Sequence, residues 1–280
     1  MDIAYTVKEV REHVKQWRKE GLSVGLVTTM GYLHEGHASL IKKAVEQNDR
    51  VVVSVFLNPT QFAPNEDLDA YPRDFEADKK LCEACGASLV FHPEVSEMYA
   101  PDASTTVNMD VVSKTLCGVT RPIHFNGVCT VVLKFFNIVT PDRAYFGQKD
   151  AQQLAVIRRM VRDFNLDIEI VGCPIIREED GLAKSSRNVY LSPEERKAAL
   201  CLSRSIRAGQ KMVEEGETDA AKVKAAMREI IEAEPLAKID YVEVVDDISC
   251  QPIDKIVKPT LVAIAVYIGK TRLIDNFIVE

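Results

Sequence analysis

Residues 22–40, LSVGLVTTMGYLHEGHASL, decide how the rest of the chain is read. The stretch opens on a short apolar run of the kind that forms a buried strand. Gly31 and Gly36 then punctuate a turn, and from Ala38 onward the residues suit a helix. His34 and His37, set around Glu35 and Gly36, therefore fall where a strand hands over to a helix N-terminus. Such an end carries unpaired N–H groups and a partial positive charge, which together favour a phosphate. A glycine lets the backbone come close to that ligand, and imidazoles can donate to oxygens that gain charge. Two surface histidines on a turn would be the plainer reading of a generic HxxH. Zinc is a further alternative, but HEGH lacks the HExxH spacing that sets two histidines one helical turn apart. The phosphate reading is preferred.

Outward from this unit, short β-branched runs at 22–29, 50–57, 87–93, 143–147 and 167–174 alternate with amphipathic segments at 6–20, 36–47, 74–85, 127–140 and 150–164. That alternation predicts an α/β fold, a Rossmann-like doubly wound parallel sheet, with its ligand outside the carboxyl ends of the strands. After about residue 190 the texture changes. Two long helical segments, 192–216 and 220–234, precede three strand-like runs at 238–246, 260–269 and 271–280 of the kind that pair antiparallel. This predicts a second, smaller α+β C-terminal domain. The division is drawn at residues 1–176 and 177–280.

Composition excludes several function classes. Of 280 residues, 46% are apolar and 28% charged, as in a globular protein. A formal net charge of -7 argues against a chain whose main task is gripping nucleic acid. No apolar run is long enough to span a membrane, and the charged, amphipathic N-terminus does not read as a secretory signal. Seven scattered cysteines, an odd number, fit reduced thiols, so a cytoplasmic location is expected. Cys82 and Cys85 form a CxxC, but no second CxxC or nearby histidine pair completes a zinc set. They are read as small apolar residues on a helix ending near Gly86.

A second loop strengthens the phosphate reading. HEGH resembles the HxGH signature of the nucleotidylyl-transferring α/β superfamily, which includes class I aminoacyl-tRNA synthetases and small adenylyltransferases. GLAKSSRNVYLS (181–192) resembles that superfamily's KMSKS-like loop. Ser185, Ser186 and Arg187 offer two hydroxyls and a planar cation suited to β- and γ-phosphates, whereas a serine-rich turn alone would mean only capping. FLNPTQFAPNEDLDAYPRD (56–74), TRPIHFNGVCTVVLKFFNIVTPDRAYFGQKDAQQLAVIRRMV (120–161) and REEDGLAKSSRNVYLSPEER (177–196) resemble the pantoate–β-alanine ligase family along essentially the entire chain.

The resemblance implies ATP-dependent condensation of pantoate with β-alanine through a bound pantoyl adenylate, releasing pyrophosphate and then AMP. It implies ATP contacts from Met30, Gly31, Tyr32, Leu33, His34, Glu35, Gly36 and His37, with His37 usually given the role of catalytic acid; both histidines are read here as donors to the phosphates in the transition state, because no leaving oxygen clearly requires a proton. It places Gly147, Gln148, Lys149 and Asp150 at the ribose and phosphates, Lys149 acting as a point charge in catalysis. Ile176 lies at the adenine through its backbone, and Lys184, Ser185, Ser186 and Arg187 at the triphosphate. Gln61 and Gln153 would hold pantoate, Gln61 also β-alanine, with Asn58 shaping the same pocket. Residues 1–176 would thus bind ATP and pantoate, and 177–280 would carry the KSSRN loop.

Mg²⁺ is expected with ATP, and no tightly bound organic cofactor. Asp67, Asp69 and Asp74 can serve as outer partners of that metal or belong to a solvated loop, and no metal ligand is assigned. A homodimer is implied by the resemblance alone, and neither nucleic acid nor membrane is expected as a partner. Lys184 departs from the apolar residue common in the family at that place. It either adds a phosphate contact or packs its stem with the ammonium in solvent. A nucleotidylyltransferase with a phosphorylated acceptor would want basic residues where Gln61 and Gln153 stand, and a non-catalytic nucleotide-binding module would not need His34, His37 and Lys149.

Overall fold

Six strands of the first half of the chain pair in parallel: β1 (Asp2–Ala4), β2 (Val24–Thr29), β3 (Arg50–Val55), β4 (Leu89–Phe91), β5 (Arg143–Gly147) and β6 (Glu169–Cys173). Their order in the sheet is β1-β4-β3-β2-β5-β6. The run at 22–29 is thus the central β2, hydrogen-bonded to β3 on one side and β5 on the other. All five strands expected from sequence are present. The sixth, β1, pairs Asp2 with Leu89 and is too short to show a periodicity. The structure, a computed structural model, describes residues 1–280, and the chain divides into two compact units. The first comprises Met1–Met109, Arg121–Gln148 and Val156–Pro174, and the second Asp110–Thr120, Lys149–Ala155 and Ile175–Glu280.

In the first unit the sheet is buried on both faces, as a parallel sheet requires. Val27, Val51, Val53, Val55, Val90 and Tyr145 point to one side and pack with Leu40, Ile41 and Ala44 of α2 (Glu35–Gln47) and Cys82 of α3 (Phe75–Ala84). Leu26, Val52 and Leu89 alternate with them and are also fully buried, facing the side where α1 (Val7–Lys19) meets α6 (His124–Val139). Two short helices precede α6 in the chain, α4 (Val95–Met98) in this unit and α5 (Cys117–Thr120) in the second. The winding of the sheet reverses between β2 and β5, so the crevice outside their carboxyl ends is where a ligand belongs. The chain leaves β2 into MGYLHEGH and leaves β5 into GQKD.

The second unit packs α9 (Leu200–Glu214) and α10 (Ala220–Glu232) on an antiparallel sheet of β7 (Ala237–Asp246), β8 (Thr260–Ile268) and β9 (Thr271–Val279). Val223, Met227 and Ile231 meet Val242, Val244, Val262 and Ile264 in a dry core. The segment read as one helix over 192–216 breaks at Ala199 into α8 (Pro193–Ala198) and α9. Ser192 and Glu195 form a capping box at the start of α8, so one helix start was readable and the break was not. Between β5 and β6 the chain forms a single 3₁₀ turn, Gln148–Asp150, and then α7 (Ala151–Asp163). Segments 110–120 and 149–155 belong to the second unit although both precede residue 177.

Within the first unit, α6 crosses the 3₁₀ turn Pro59–Gln61 at close range. A Cβ on Gly127 would stand 2.5 Å from the Thr60 carbonyl oxygen and 2.6 Å from Gln61 Cα. Those atoms are backbone and cannot swing aside. Gly127→Ala is expected to cost about 1–3 kcal/mol of stability by overpacking, measured by urea unfolding. An unchanged midpoint would show that the turn is free to move away from the helix.

Candidate active site

The turn after β2 is shaped by a carboxylate that no sequence motif marks. Gly31 and Tyr32 both have positive φ, 91° and 54°, which turns the N–H groups of Tyr32 and Leu33 the same way. Both donate to Asp78 of α3, Tyr32 to Oδ2 at 2.9 Å and Leu33 to Oδ1 at 2.6 Å. Asp78 is 2% exposed. Burial pushes its carboxyl group upward in pKa, against the pull of those two amides. A side chain on Gly31 would come within 3.1 Å of Asp78 Oδ2, so the close approach requires glycine there. Asp78 lies in FEADKKL, where its only signal was a carboxylate in a helical first turn, a commonplace of helix starts.

With the turn held, α2 begins at Glu35, earlier than the Ala38 expected, and His34 caps it. Gly36 N–H donates to His34 Nδ1 at 3.1 Å, and His34 N–H donates to His37 Nδ1 at 3.2 Å. Each Nδ1 is therefore an acceptor, which leaves Nε2 as the proton-bearing nitrogen of both rings. The ring centroids lie 4.2 Å apart. Gly36 has its own steric reason. A Cβ there would sit 2.8 Å from His34 Cε1, in the space the imidazole fills as it folds back over the helix start. The HEGH segment thus places two N–H-bearing imidazoles at the positive end of α2.

Gln61 stands beside this turn, its Nε2 3.1 Å from Met30 Sδ. It is 6% exposed, and its backbone is pinned from α6 and the chain before it. His124 Nε2 faces Arg121 Nη1, which can only donate, so His124 Nδ1 bears the proton and donates to the Gln61 carbonyl at 3.1 Å. Arg121 also grips Glu66, Nε to Oε1 at 2.9 Å and Nη2 to Oε2. Burial works upward on the Glu66 carboxyl group, but the hydrogen bonds and charge of Arg121 outweigh it, leaving Glu66 below its ordinary range. Asn58, 1% exposed, donates to Gln61 Oε1 at 3.0 Å. Of the acidic loop, Asp74 accepts from Ala77 N–H as the cap of α3.

Of the remaining expected residues, Gly147 and Gln148 fall in the first unit, and Lys149, Asp150, Gln153, Ile176, Lys184, Ser185, Ser186 and Arg187 in the second. Gln153 is half-buried, while its neighbour Gln152 is structural. Gln152 Nε2 donates to the carbonyls of Val112 and Thr115, and its Oε1 accepts from Cys117 N–H. Ile176 O accepts from Lys184 N–H at 2.9 Å, and Glu178 N–H donates to Leu182 O, closing a hairpin that presents Ser185, Ser186 and Arg187. Ser185 Oγ accepts from Arg187 N–H and caps the 3₁₀ turn Ser186–Tyr190, so the plain capping role is filled. Lys184 Nζ lies 3.0 Å from Glu178, so its ammonium is held in an ion pair. Lys149 Nζ lies 3.7 Å from Asp150, one residue on.

β9 ties these segments together through a dipeptide that sequence reasoning passed over. Arg177 holds Asp275 in a two-pronged pair, at 2.7 and 2.9 Å, with Asp275 2% exposed. Next to it, Asn276 Nδ2 donates to the Lys149 carbonyl at 2.9 Å. Asp and Asn on a strand of otherwise apolar alternation were the available signal. Cys82 and Cys85 sit at the end of α3, and burial, with the Asp78 charge adding to it, pushes the Cys82 thiol up to about 12. A thiol so held is a poor ligand or nucleophile at neutral pH.

Residues 2–278 match the family described as pantoate-beta-alanine ligase. The chain is 61% identical over 277 residues to the pantothenate synthetase of Clostridium acetobutylicum, covering 99% of each chain. It resembles the crystal structure of pantothenate synthetase from Thermus thermophilus, with a TM-score of 0.94 and 44% identity over 99% of each chain. It also resembles a pantoate-beta-alanine ligase from Francisella tularensis complexed with beta-gamma ATP and beta-alanine, with a TM-score of 0.81 and 33% identity over 99% of this chain and 97% of that one.

The Asp78 contacts generate a test. Asp78→Asn keeps the size but sets an amide NH₂ against a backbone N–H. It is expected to cost about 1.5–3 kcal/mol, the worth of a hydrogen bond to a charged group. Urea unfolding reads the loss, and the accompanying effect on the histidine turn is read as a raised KM for nucleotide.

Proposed function

The chain belongs to the pantoate–β-alanine ligase family, and on that premise we propose the following assignment of its chemistry to its residues. The reaction is the condensation of pantoate with β-alanine, with cleavage of ATP to AMP and pyrophosphate. A carboxylate oxygen of pantoate attacks the α-phosphorus, the bond from that phosphorus to the bridging oxygen breaks, and pyrophosphate leaves with the electron pair. The amine of β-alanine then attacks the acyl carbon of the adenylate. The carbon–oxygen bond to AMP breaks, and the nitrogen sheds a proton as the amide forms.

One observation carries the assignment: both HEGH imidazoles keep Nδ1 as acceptor and so bear the proton on Nε2 at a helix start. In this reading Met30 to His37 cradle the triphosphate, and His34 and His37 follow the charge as it moves on to the phosphate oxygens, with no proton transferred. Lys149 adds a point charge, and Gly147, Gln148 and Asp150 serve ribose and phosphate. Ile176 meets adenine through its N–H, its carbonyl already accepting from Lys184. Ser185, Ser186 and Arg187 grip the outer phosphates, and Lys184 exchanges Glu178 for a phosphate when ATP arrives. Gln61 and Gln153 hold pantoate as neutral amides, which leave the carboxylate nucleophilic, and Gln61 also meets β-alanine.

In sequence terms 1–176 carries ATP and pantoate binding and 177–280 the KSSRN loop, with Lys149, Asp150 and Gln153 folding in the second unit. Mg²⁺ is proposed to arrive on ATP and to neutralise phosphate charge. No group of three or more His, Cys, Asp or Glu side chains converges in the structure. The proposed assembly is a cytoplasmic homodimer without organic cofactor. No helix is long and apolar enough to cross a membrane.

Pyrophosphate release from ATP and pantoate, without β-alanine, is the expected signature of the first half-reaction, and its absence would remove the adenylate. His34→Ala or His37→Ala should slow that step by about 10²–10³-fold, the loss of one preorganised donor. Lys184→Met should raise the KM for ATP with kcat little changed. If neither constant moves, Lys184 leaves the ATP-binding set.

A further inference from the structure

Two buried amides and a phenol form a directional chain behind Gln61. Asn58 Oδ1 accepts from Tyr99 Oη–H at 2.8 Å, from Thr60 Oγ1–H at 3.0 Å and from Thr60 N–H at 3.4 Å. Its Nδ2 donates to Gly127 O at 3.2 Å and to Gln61 Oε1 at 3.0 Å. A backbone carbonyl can only accept and a backbone N–H can only donate. Turning the Asn58 amide over would therefore oppose like to like at both Gly127 and Thr60. With Asn58 locked, Gln61 Oε1 is committed as an acceptor, and Nε2 is the atom left facing Met30 and the histidine turn.

We propose that Tyr99 is a positioning residue that seats Asn58, whose polarity Gly127 and Thr60 set, and so holds Gln61 Oε1 as an acceptor, so that the Gln61 side chain offers this corner of the site its N–H donor and selects an acyl substrate presenting an oxygen acceptor to it. The inference rests on the reading of Gln61 as a pantoate residue and deepens it by naming what Gln61 can recognise: a carboxylate or hydroxyl oxygen acting as acceptor. Tyr99 is itself held in place, with Lys134 Nζ 5.5 Å from its ring centroid and the Phe56 ring 6.4 Å away. Burial pushes its phenol upward in pKa, which keeps it a donor at neutral pH. A buried amide whose two ends are distinguished in this way discriminates strongly, because a ligand of the wrong polarity leaves a desolvated donor unpaired.

Steady-state kinetics of the full chain separates the polarity effect from simple loosening. Tyr99→Phe is expected to raise the pantoate KM about fivefold while the ATP KM stays within about twofold, since one of the hydrogen bonds orienting Asn58 is lost. Asn58→Asp tests the same relay without touching the packing of the phenol. It replaces the donor toward Gln61 Oε1 by an oxygen, drives Gln61 to turn over, and should raise the pantoate KM by about tenfold or more. Asn58→Asp with an unchanged pantoate KM overturns the polarity relay. Tyr99→Phe with an unchanged pantoate KM, or with the two KM values rising together, overturns the part given to Tyr99. If Gln61→Ala leaves the pantoate KM unmoved, the reading of Gln61 as a pantoate residue is what fails.

Discussion

A carboxylate catching two backbone N–H groups is the constraint on which this active-site turn depends. The conformation of Gly31 and Tyr32 is unfavourable without a partner, since a tyrosine at positive φ is uncommon. Asp78 supplies that partner from α3, an element whose other buried residue, Cys82, packs into the core under α2. The turn's geometry is thereby coupled to the hydrophobic core on one face of the sheet. Once Leu33 is placed, His34 can cap α2 and Gly36 can admit its ring. The histidine pair is then a consequence of packing several residues away.

The same logic recurs at the other side chains of the site. Neutral amides and imidazoles have two ends, and their usefulness depends on which end is presented. Here the choice is made by groups that cannot change role: the N–H of Gly36 for His34, the guanidinium of Arg121 for His124, and the carbonyl of Gly127 for Asn58. Such fixed partners remove the reorganisation that a loosely held donor would undergo as charge builds on a bound group. Mobile salt bridges at the surface would not serve that purpose, because their geometry is not determined.

Most of the parallel sheet was legible because β-branched runs buried on both faces have few other readings, and LSVGLVTT was decisive for that reason. The HEGH, GQKD and KSSRN segments drew attention because their residue types stand together in sequence. What stayed hidden was long-range. Asp78, Tyr99, Asp275 and Asn276 act on residues distant along the chain, and each alone looks like a helix start, a loop aromatic or a strand irregularity. Likewise the two residues of Gln152-Gln153 were indistinguishable in sequence, and only burial separates the structural member from its neighbour. The break at Ala199 was hidden because alanine carries no stop signal.

The second unit is stitched from three stretches, two of which, 110–120 and 149–155, are made before the main one, 175–280. A nascent chain leaving the ribosome therefore exposes Leu116, Cys117 and Leu154 well before β7, β8 and β9 exist to enclose the unit they join, and all three are buried in the finished protein. Domains normally mature in order of synthesis. Here the earlier segments must wait for β9 to be made, so the unit cannot be excised or transplanted by a single genetic cut.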